Sequence, residues 1–234
     1  MIYKDIKEGV FLERPNRFIA LVEIDGKIQK CHVKNTGRCK ELLIPGVKVY
    51  VQEQNNPNRK TKYDLINVIK GERMVNIDSQ VPNKLVYDWI LEGNYFKDLL
   101  HIQREKTFGN SRFDLYLETK SRNIFIELKG VTLGEDGLVR FPDAPTQRGV
   151  KHIKELSQSI KEGYEAFVFF VIQMENVKKF QPNDLTHYEF GQALREGKAN
   201  GIKILAYDCK VGKDRIKLGK PVPVDLLEES QRKN

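Results

Sequence analysis

Cysteine is scarce in this chain, and its distribution excludes one way of stabilising a small fold. Only Cys31, Cys39 and Cys209 occur among the 234 residues. An odd, small number of cysteines in a chain of this length argues against a disulfide framework. Cys31-His32 with Cys39 could suggest zinc, but neighbouring residues of a strand point in opposite directions and no fourth ligand is evident. We therefore expect free thiols.

Long hydrophobic runs are also missing. The longest strongly apolar run, residues 166–172, is too short to span a bilayer. The first ten residues, MIYKDIKEGV, contain no apolar signal segment, and the last residues contain no lipidation motif. The sequence shows no internal repeat and no low-complexity segment. These absences favour a cytoplasmic protein that has no membrane partner.

Acidic residues are outnumbered by basic ones. The chain has 40 Lys and Arg against 32 Asp and Glu, which gives a formal net charge of +8. A basic excess favours a polyanionic partner such as nucleic acid, although many basic proteins bind none. The length allows one or two domains with a substantial core.

Residues 1–80 read as a small β-domain. Turn signals such as Asp25-Gly26 and Pro45-Gly46 separate short strand-like runs. The predicted strands are residues 9–13, 17–24, 28–33, 47–52 and 64–70. A short helix is predicted over residues 36–43, between the third and fourth strands. Five strands in this order predict an OB-fold β-barrel.

OB-folds bind oligonucleotides through the loops that join strands 1 to 2 and 4 to 5. In this chain both predicted loops combine cations, which can follow a phosphate backbone, with an aromatic residue on which a base can stack. Alternatively, the lysines simply solvate a long loop. The nucleic-acid-binding candidates in this half are Arg14, Arg17, Phe18, Arg38, Arg59, Lys60, Lys62 and Tyr63.

Residues 81–224 alternate between helical and strand patterns, and residues 225–234 are a polar tail that we expect to fray. Leu85, Val86, Trp89 and Ile90 share one helical face, and Gly93 follows as a stop signal. The later predicted elements are strands 102–107, 112–118 and 124–128, helix 146–162, strand 166–172, helix 184–199 and strand 202–208. A helix followed by an apolar strand, twice over, predicts parallel crossovers and a mixed α/β sheet.

The hairpin predicted within residues 111–133 carries the most informative residues. If residues 119–122 form its loop, Asp114 lies opposite Glu127, and Lys129 shares their face because side chains alternate. Directly opposed like charges are destabilising. A hard divalent cation would neutralise the two carboxylates. Alternatively, this is the solvated face of an ordinary hairpin in which Lys129 screens both acids.

The same residues resemble the PD-(D/E)xK nuclease core, and the whole chain resembles the sugar fermentation stimulation protein family, SfsA. The matching stretches are RPNRF (14–18), NTGR (35–38), KYDL (62–65), SRFD (111–114), ELKGVTL (127–133) and FPDAPTQRG (141–149). The resemblance implies an OB-fold domain over residues 1–80 and a restriction-endonuclease-like mixed-sheet domain over residues 81–224. It also implies that Glu92, at the end of the first helix, could add a carboxylate to the site.

Two further segments contribute candidates. The predicted helix 146–162 has Arg148, Lys151 and His152 near its N-terminal end, where backbone N–H groups favour phosphate. A solvated amphipathic helix is the alternative explanation of that pattern. Gln173 ends the apolar strand 166–172, where its amide could reach a metal ion or water, or could be an ordinary strand-end amide.

These observations predict a metal-dependent nuclease that hydrolyses phosphodiester bonds of DNA or RNA. Asp114 and Glu127 would hold Mg²⁺ or Mn²⁺. Lys129, with an unperturbed pKa of about 10.4, would orient the attacking water and offset charge in the transition state. Gln173 completes the catalytic candidates. The alternative is a nucleic-acid-binding transcriptional regulator of sugar-fermentation genes with a silent nuclease fold. Oligomeric state is left open, and a homodimer is compatible with the sequence.

Overall fold

The N-terminal half is a closed five-stranded β-barrel. A computed structural model describes residues 1–35 and 37–228 of the chain. The barrel strands are β1 (Ile6–Asn16), β2 (Ile19–Ile24), β3 (Lys27–Val33), β4 (Lys48–Glu53) and β5 (Tyr63–Lys70). Their order is β3-β2-β1-β4-β5, and a parallel pairing of β3 with β5 closes the barrel. The predicted OB-like barrel is therefore confirmed, and β6 (Arg73–Asn76), which was not predicted, extends it beside β5.

The helix predicted over residues 36–43 is wrong. The described residues 37–46 contain only turns and bends, and the amides of Leu42 and Leu43 both donate to the Cys39 carbonyl oxygen. Cys39 has a φ of 47°, in the left-handed region, which a right-handed helix cannot include. Thr36, which belongs to this prediction, lies outside the described residues.

The C-terminal half is a mixed sheet covered by helices. Its elements are α1 (Val81–Leu91), β7 (Leu99–Phe108), β8 (Ser111–Thr119), β9 (Asn123–Val131), β10 (Gly134–Glu135), β11 (Leu138–Phe141), α2 (Gln147–Lys161), β12 (Glu165–Ile172), β13 (Lys179–Pro182), α3 (Asp184–Ala199), β14 (Lys203–Gly212) and β15 (Arg215–Pro221). The six-stranded sheet has the order β15-β14-β12-β9-β8-β7. Strand β12 is parallel to both β9 and β14, whereas the outer pairs are antiparallel, as predicted for a mixed sheet.

The helices cover opposite faces of this sheet. Apolar residues of α1 pack in one core cluster with Leu115 and Ile126, whereas those of α2 and α3 pack in the other with Phe125. Helix α2 begins where the sequence predicted, because the Thr146 hydroxyl oxygen accepts a hydrogen bond from the Gly149 amide at 3.1 Å. In the described residues, the helices are too short or too polar to cross a membrane.

A third, smaller sheet was missed. No strand was predicted within residues 134–145, yet they contain β10 and β11, and β11 pairs in parallel with β13. Strands of two to four residues are too short to show alternation.

The start of the polar tail packs against the same region. Asp225 does not fray, since its amide donates to Phe180 and its carboxylate accepts from Gln181, while residues 229–234 lie outside the described part.

The two halves share one hydrophobic core. A single buried cluster includes Leu65 and Val75 of the barrel together with Val131 and Ile172 of the large sheet. Backbone hydrogen bonds reinforce the junction, including one from the Asn76 amide to the Gln173 carbonyl oxygen at 2.9 Å. The barrel is therefore held against the carboxyl ends of β9 and β12.

Candidate metal site and nucleic-acid surface

Strands β8 and β9 pair in the predicted register and then separate at Asp114. Tyr116 pairs with Phe125 as predicted, and the ladder ends one residue further on. Beyond this point a side chain replaces the backbone hydrogen bonds between the two strands. The Oδ2 atom of Asp114 accepts a hydrogen bond from the Leu128 amide at 2.8 Å. Asp114 is thereby fixed in the opening between the two strands.

The ladder on the other side of Asp114 is interrupted as well. In the register of β7 with β8, Glu105 falls opposite Asp114, and this position is omitted from the pairing. Glu105 has a φ of 55°, a left-handed conformation that non-glycine residues adopt rarely and at some cost. Strand β8 is therefore freed from both neighbours at the residue that carries the carboxylate.

Helix α1 supplies a second contact to Asp114. Asn83, in the first turn of α1, donates from Nδ2 to Asp114 Oδ1 at 2.9 Å. Burial raises the pKa of Asp114, and the negative charge of Glu127 raises it further, against the hydrogen bonds from Leu128 and Asn83 and the charge of Lys129. The two carboxylates are therefore close enough to act on one another.

Glu127 is almost fully buried, and its two oxygens have different surroundings. Oε1 accepts from Lys129 Nζ and contacts His152 Nδ1, both at 2.6 Å. Oε2 is buried and has no hydrogen-bond partner in the described part of the chain. Burial alone would raise the pKa of Glu127, but the hydrogen bonds from His152 and Lys129 and the positive charge of Lys129 outweigh it, so that its pKa lies below the ordinary value.

His152 connects Glu127 to the surface of α2. Its Nε2 lies 3.3 Å from Arg148 Nε, and since an arginine can only donate, Nε2 accepts and Nδ1 carries the proton toward Glu127. His152 is 4% exposed, which contradicts its predicted role as a phosphate contact. The sequence placed it correctly on the polar side of α2, but could not show that this side faces the acidic pair.

The acidic pair suits a divalent cation. It offers the buried carboxylate of Glu127, one oxygen of which has no donor in the described part of the chain, and the partly buried carboxylate of Asp114. Residues 1–35 and 37–228 contain no group of three or more His, Cys, Asp or Glu residues arranged to hold a metal ion. A cation here would therefore complete its shell with water and backbone carbonyl oxygens, as Mg²⁺ commonly does.

Gln173 does not lie at this pair. Strand register places Glu127 beside Val168, five residues earlier in β12, and this spacing corresponds to about 16 Å along the strand. The Gln173 amide nitrogen donates instead to Asn76 Oδ1 at 2.8 Å and to the Asp78 carbonyl oxygen at 3.0 Å. Gln173 thus joins the barrel to the large sheet, and its predicted contact with the metal is corrected.

Asn83, and not the expected Glu92, is the α1 residue that contacts the acidic pair. Glu92 caps the opposite end of α1 and is exposed, so the expectation for Glu92 is also corrected. The sequence signal for Asn83 was weak: Val81-Pro82 marks the start of a helix, which puts Asn83 in its first turn. The contact itself depends on how α1 packs on the sheet.

Some of the predicted nucleic-acid contacts are accessible. Arg17, Phe18, Arg38 and Lys60 are exposed, and the guanidinium carbon of Arg17 lies 5.7 Å from the centre of the Phe18 ring. Lys62 is exposed too, although its ammonium pairs with Glu53 at 2.7 Å. These side chains form the accessible cationic surface of the barrel.

Other predicted contacts are already engaged within the fold. The Arg14 guanidinium donates to carbonyl oxygens of the loop that follows β3 and of the β1–β2 turn, which makes it a structural brace. Those acceptors are the carbonyl oxygens of Arg17, Asn35, Gly37 and Arg38. Arg59 pairs with the buried carboxylate of Asp64. Tyr63 is 4% exposed and packs in the core, so it offers no face to a base.

The α2 candidates are divided in the same way. Arg148 is exposed in the first turn of the helix and contacts His152. Lys151 is also exposed, but its ammonium donates to the Asn110 carbonyl oxygen at 2.7 Å, which ties α2 to the β7–β8 turn. Arg148 is therefore the α2 cation that is more readily available to a ligand.

Comparison with known proteins agrees with this architecture. The family model described as "SfsA N-terminal OB domain" matches residues 12–77, and the model described as "Sugar fermentation stimulation protein RE domain" matches residues 80–215. The chain is 60% identical to a sugar fermentation stimulation protein homolog of Desulfitobacterium hafniense (strain Y51) over 228 residues, which cover 97% of this chain and 100% of that protein. It is 58% identical to the homolog of Clostridium beijerinckii over 226 residues, covering 97% and 100%.

One solved structure is similar over nearly the whole chain. It is the structure of Pyrococcus furiosus SfsA in complex with Ca²⁺, with a TM-score of 0.87 and 29% sequence identity, covering 96% of this chain and 98% of that one. Fold, family models and close relatives therefore agree. The chain belongs to the sugar fermentation stimulation protein family, SfsA.

Proposed function

We propose that this protein is a divalent-metal-dependent nuclease that hydrolyses phosphodiester bonds of DNA or RNA. The observation that carries the proposal is the buried, unpartnered Oε2 of Glu127 beside Asp114, whose pKa is raised by burial and by the Glu127 charge. A buried oxygen without a donor costs roughly 1–3 kcal/mol or more when it is charged. A functional cation explains why such an arrangement is kept.

Asp114 and Glu127 would be the protein ligands of Mg²⁺ or Mn²⁺. The Ca²⁺ in the Pyrococcus furiosus SfsA complex supports this choice, because Ca²⁺ is a hard cation that prefers the same oxygen ligands. A bound divalent cation supplies two effects to such a reaction, namely polarisation of a phosphoryl oxygen and a lower pKa for water.

The surrounding residues hold these ligands in place. Asn83 and the Leu128 amide each bind one oxygen of Asp114. His152 binds Oε1 of Glu127 and so leaves Oε2 free toward the site. Neighbours that orient metal ligands in this way contribute substantially to metal affinity.

Lys129 would act on the reacting phosphate. Its ammonium lies 2.6 Å from Glu127 Oε1, and its side chain is 15% exposed, so it retains access to the site. In this position it can orient a water molecule and offset negative charge that develops on the phosphoryl group. Arg17, Phe18, Arg38 and Lys60 would hold the strand on the barrel.

Cleavage assays with point variants test this proposal. The purified protein is incubated with end-labelled single- and double-stranded DNA and RNA, in Mg²⁺, Mn²⁺ or EDTA. We expect metal-dependent cleavage that Glu127→Gln reduces by at least about a hundredfold, the loss typical of removing one electrostatic stabiliser. Asp88→Asn, on the exposed side of α1, is the matched control and should retain full activity.

The alternative function predicts a different pattern. A nucleic-acid-binding regulator with a silent nuclease fold would leave every substrate intact in every metal, and would discriminate strongly between DNA sequences. Contacts that are mainly to phosphate would not discriminate in that way. Intact substrates together with sequence-selective binding would therefore replace the nuclease proposal with the regulatory one.

A further inference from the structure

A cavity of about 390 Å³ lies where the barrel meets the C-terminal half. Its volume falls within the range of roughly 300–1,000 Å³ that is usual for small-molecule sites. Both halves contribute to its wall. The lining residues that matter here are Arg17, Ser79, Gly130, Arg140, Phe141 and Gln173.

Gln173 presents a fixed hydrogen-bond acceptor to this cavity. The residue is 1% exposed, and its amide nitrogen is identified because it faces the Asp78 carbonyl oxygen, which can only accept. Oε1 therefore lies on the other side of the amide, beside Gly130. Because Gln173 lines the cavity, this oxygen is an acceptor for a ligand N–H or O–H group that takes the place of water.

Gly130 allows the Gln173 amide to pack directly against β9. A Cβ atom added at Gly130 would lie 2.6 Å from Gln173 Oε1 and 3.0 Å from Pro82 Cγ. Both are tighter than ordinary van der Waals contacts, so any larger residue would displace the Gln173 side chain. The glycine thus keeps the acceptor in its place at the wall of the cavity.

Two arginines, one from each half of the molecule, add positive charge. Arg17 of the barrel and Arg140 of β11 both line the cavity, and neither pairs with a carboxylate among the residues that the structure describes. Unpaired guanidinium groups bind phosphate well, because they donate two parallel hydrogen bonds. Asp143 also lines the cavity and adds an acceptor, while Phe141 adds an aromatic ring.

We propose that this cavity holds one nucleotide of an unpaired nucleic-acid strand. The arginines bind a phosphate, Gln173 and Asp143 accept from the base or sugar, and Phe141 borders the base. The proposal rests on the nuclease function above, for which it names single-stranded nucleic acid as the substrate class. A base inside a duplex cannot offer its pairing edge to an enclosed acceptor without leaving the stack.

The cavity adjoins the proposed metal site along β9. Lys129, which contacts Glu127, and Gly130, which lines the cavity, are consecutive residues, so their Cα atoms are about 3.8 Å apart. The side-chain directions at residues 129 and 130 point to opposite faces of the strand. Glu127 lies three residues before Gly130 on β9, about 10 Å along the strand, so the neighbouring part of a bound nucleic-acid strand has to extend over that distance to reach the acidic pair.

Binding measurements on the full-length protein in EDTA test the cavity independently of the metal. Thymidine 5′-monophosphate and a five-residue oligothymidylate are titrated by calorimetry. Arg17→Ala and Arg140→Ala should each weaken binding about tenfold, the effect of losing one charge-assisted contact of about 1.4 kcal/mol. Lys27→Ala, an exposed cation of β3, is the matched control and should bind like the wild type.

Gly130→Ala provides a second variant, which displaces the Gln173 amide at the cavity wall without removing a charge. It should weaken binding of both ligands, and its thermal melting curve shows whether it folds. Binding that is unchanged in both arginine variants, or in folded Gly130→Ala, overturns the cavity proposal. Arginine-dependent nucleotide binding without cleavage in any metal would remove the nuclease function but keep the cavity. Equal cleavage of single and double strands, unaffected by the arginine variants, would overturn the cavity proposal but keep the nuclease function.

Discussion

Replacing Asp114 by asparagine should stabilise the metal-free protein. Burial and the charge of Glu127 both disfavour the ionised form of Asp114. The amide has nearly the same shape. Its oxygen can accept from the Leu128 amide as the carboxylate does, and Asn83 can rotate its own amide to accept from the new nitrogen. The substitution therefore removes a charge while keeping the hydrogen-bond pattern.

The size of the effect follows from two opposing contributions. Unit charges about 6 Å apart, slightly more than opposed positions on paired strands because β8 and β9 separate at Asp114, repel by about 3 kcal/mol at an effective dielectric constant of about 20. The two hydrogen bonds that Asp114 accepts each weaken by about 1 kcal/mol when the acceptor loses its charge. A net gain of about 1 kcal/mol remains, which raises the melting temperature by about 2–4 °C for a chain of this size.

A divalent cation should reverse this order. Saturation with Mg²⁺ or Ca²⁺ at about 100 times the dissociation constant stabilises the wild type by about 2.7 kcal/mol. Asp114→Asn lacks one ligand and should respond little. Thermal unfolding is measured for both proteins in EDTA and in excess cation, with Asp88→Asn as an exposed control that should change by less than about 1 kcal/mol in either buffer.

The pH dependence gives a further check on the sign. The pKa of Asp114 is higher in the folded protein than the unfolded value of about 3.9. Its ionisation therefore destabilises the fold fully above the folded pKa, and the penalty disappears as pH falls toward 3.9. The advantage of Asp114→Asn in EDTA should shrink over that interval. A variant that is less stable than the wild type in EDTA at neutral pH, or that responds equally to the cation, would refute the reasoning.

Four other variants test the remaining assignments. His152→Ala removes a donor from Glu127, so the pKa of Glu127 rises. The acidic limb of the pH profile for cleavage should therefore move to higher pH, and metal affinity should fall about 10–100-fold. A pH profile that does not shift would contradict the contact. Arg14→Lys should lower the free energy of unfolding in urea by about 3 kcal/mol, because lysine cannot reach the several carbonyl oxygens that the guanidinium binds; an unchanged midpoint would show that the brace is dispensable. Phe18→Ala should weaken binding of single strands by about 1–3 kcal/mol in a filter-binding assay without loss of stability. Tyr63→Ala should instead lower the stability of the fold. If Phe18→Ala lost stability and Tyr63→Ala lost binding, Phe18 would be the core residue and Tyr63 the binding residue.

Local patterns were sufficient to predict much of the fold. Alternation in residues 111–118 and 124–128, with the polar loop 119–122 between the two runs, predicted the β8–β9 register that places Tyr116 opposite Phe125. The helix predicted over residues 184–199 coincides with α3, Asp184–Ala199. Turn signals alone separated the five strands of the barrel. Each of these inferences depends on residues that are close in sequence.

The predictions that failed depend on contacts between distant residues. Arg14 and His152 were read as surface cations because they stand among polar residues, but the packing of the β3–β4 loop and of α2 encloses them. Gln173 was placed near the metal because it ends a central strand, while the barrel packs on that strand end and binds its amide. Periodicity indicates which face of an element is polar. It does not indicate which other element covers that face.

The hydrophobic core that runs through both halves affects how the protein behaves as separate fragments and how its two segments are inherited. An excised barrel would expose Val75 and its neighbours, and an excised C-terminal half would expose Val131 and Ile172. Neither fragment should be soluble alone, and the intact protein should give one calorimetric transition instead of two. A gene that lost the segment for one half would therefore no longer encode a stable protein. We expect the OB and RE segments to be inherited together.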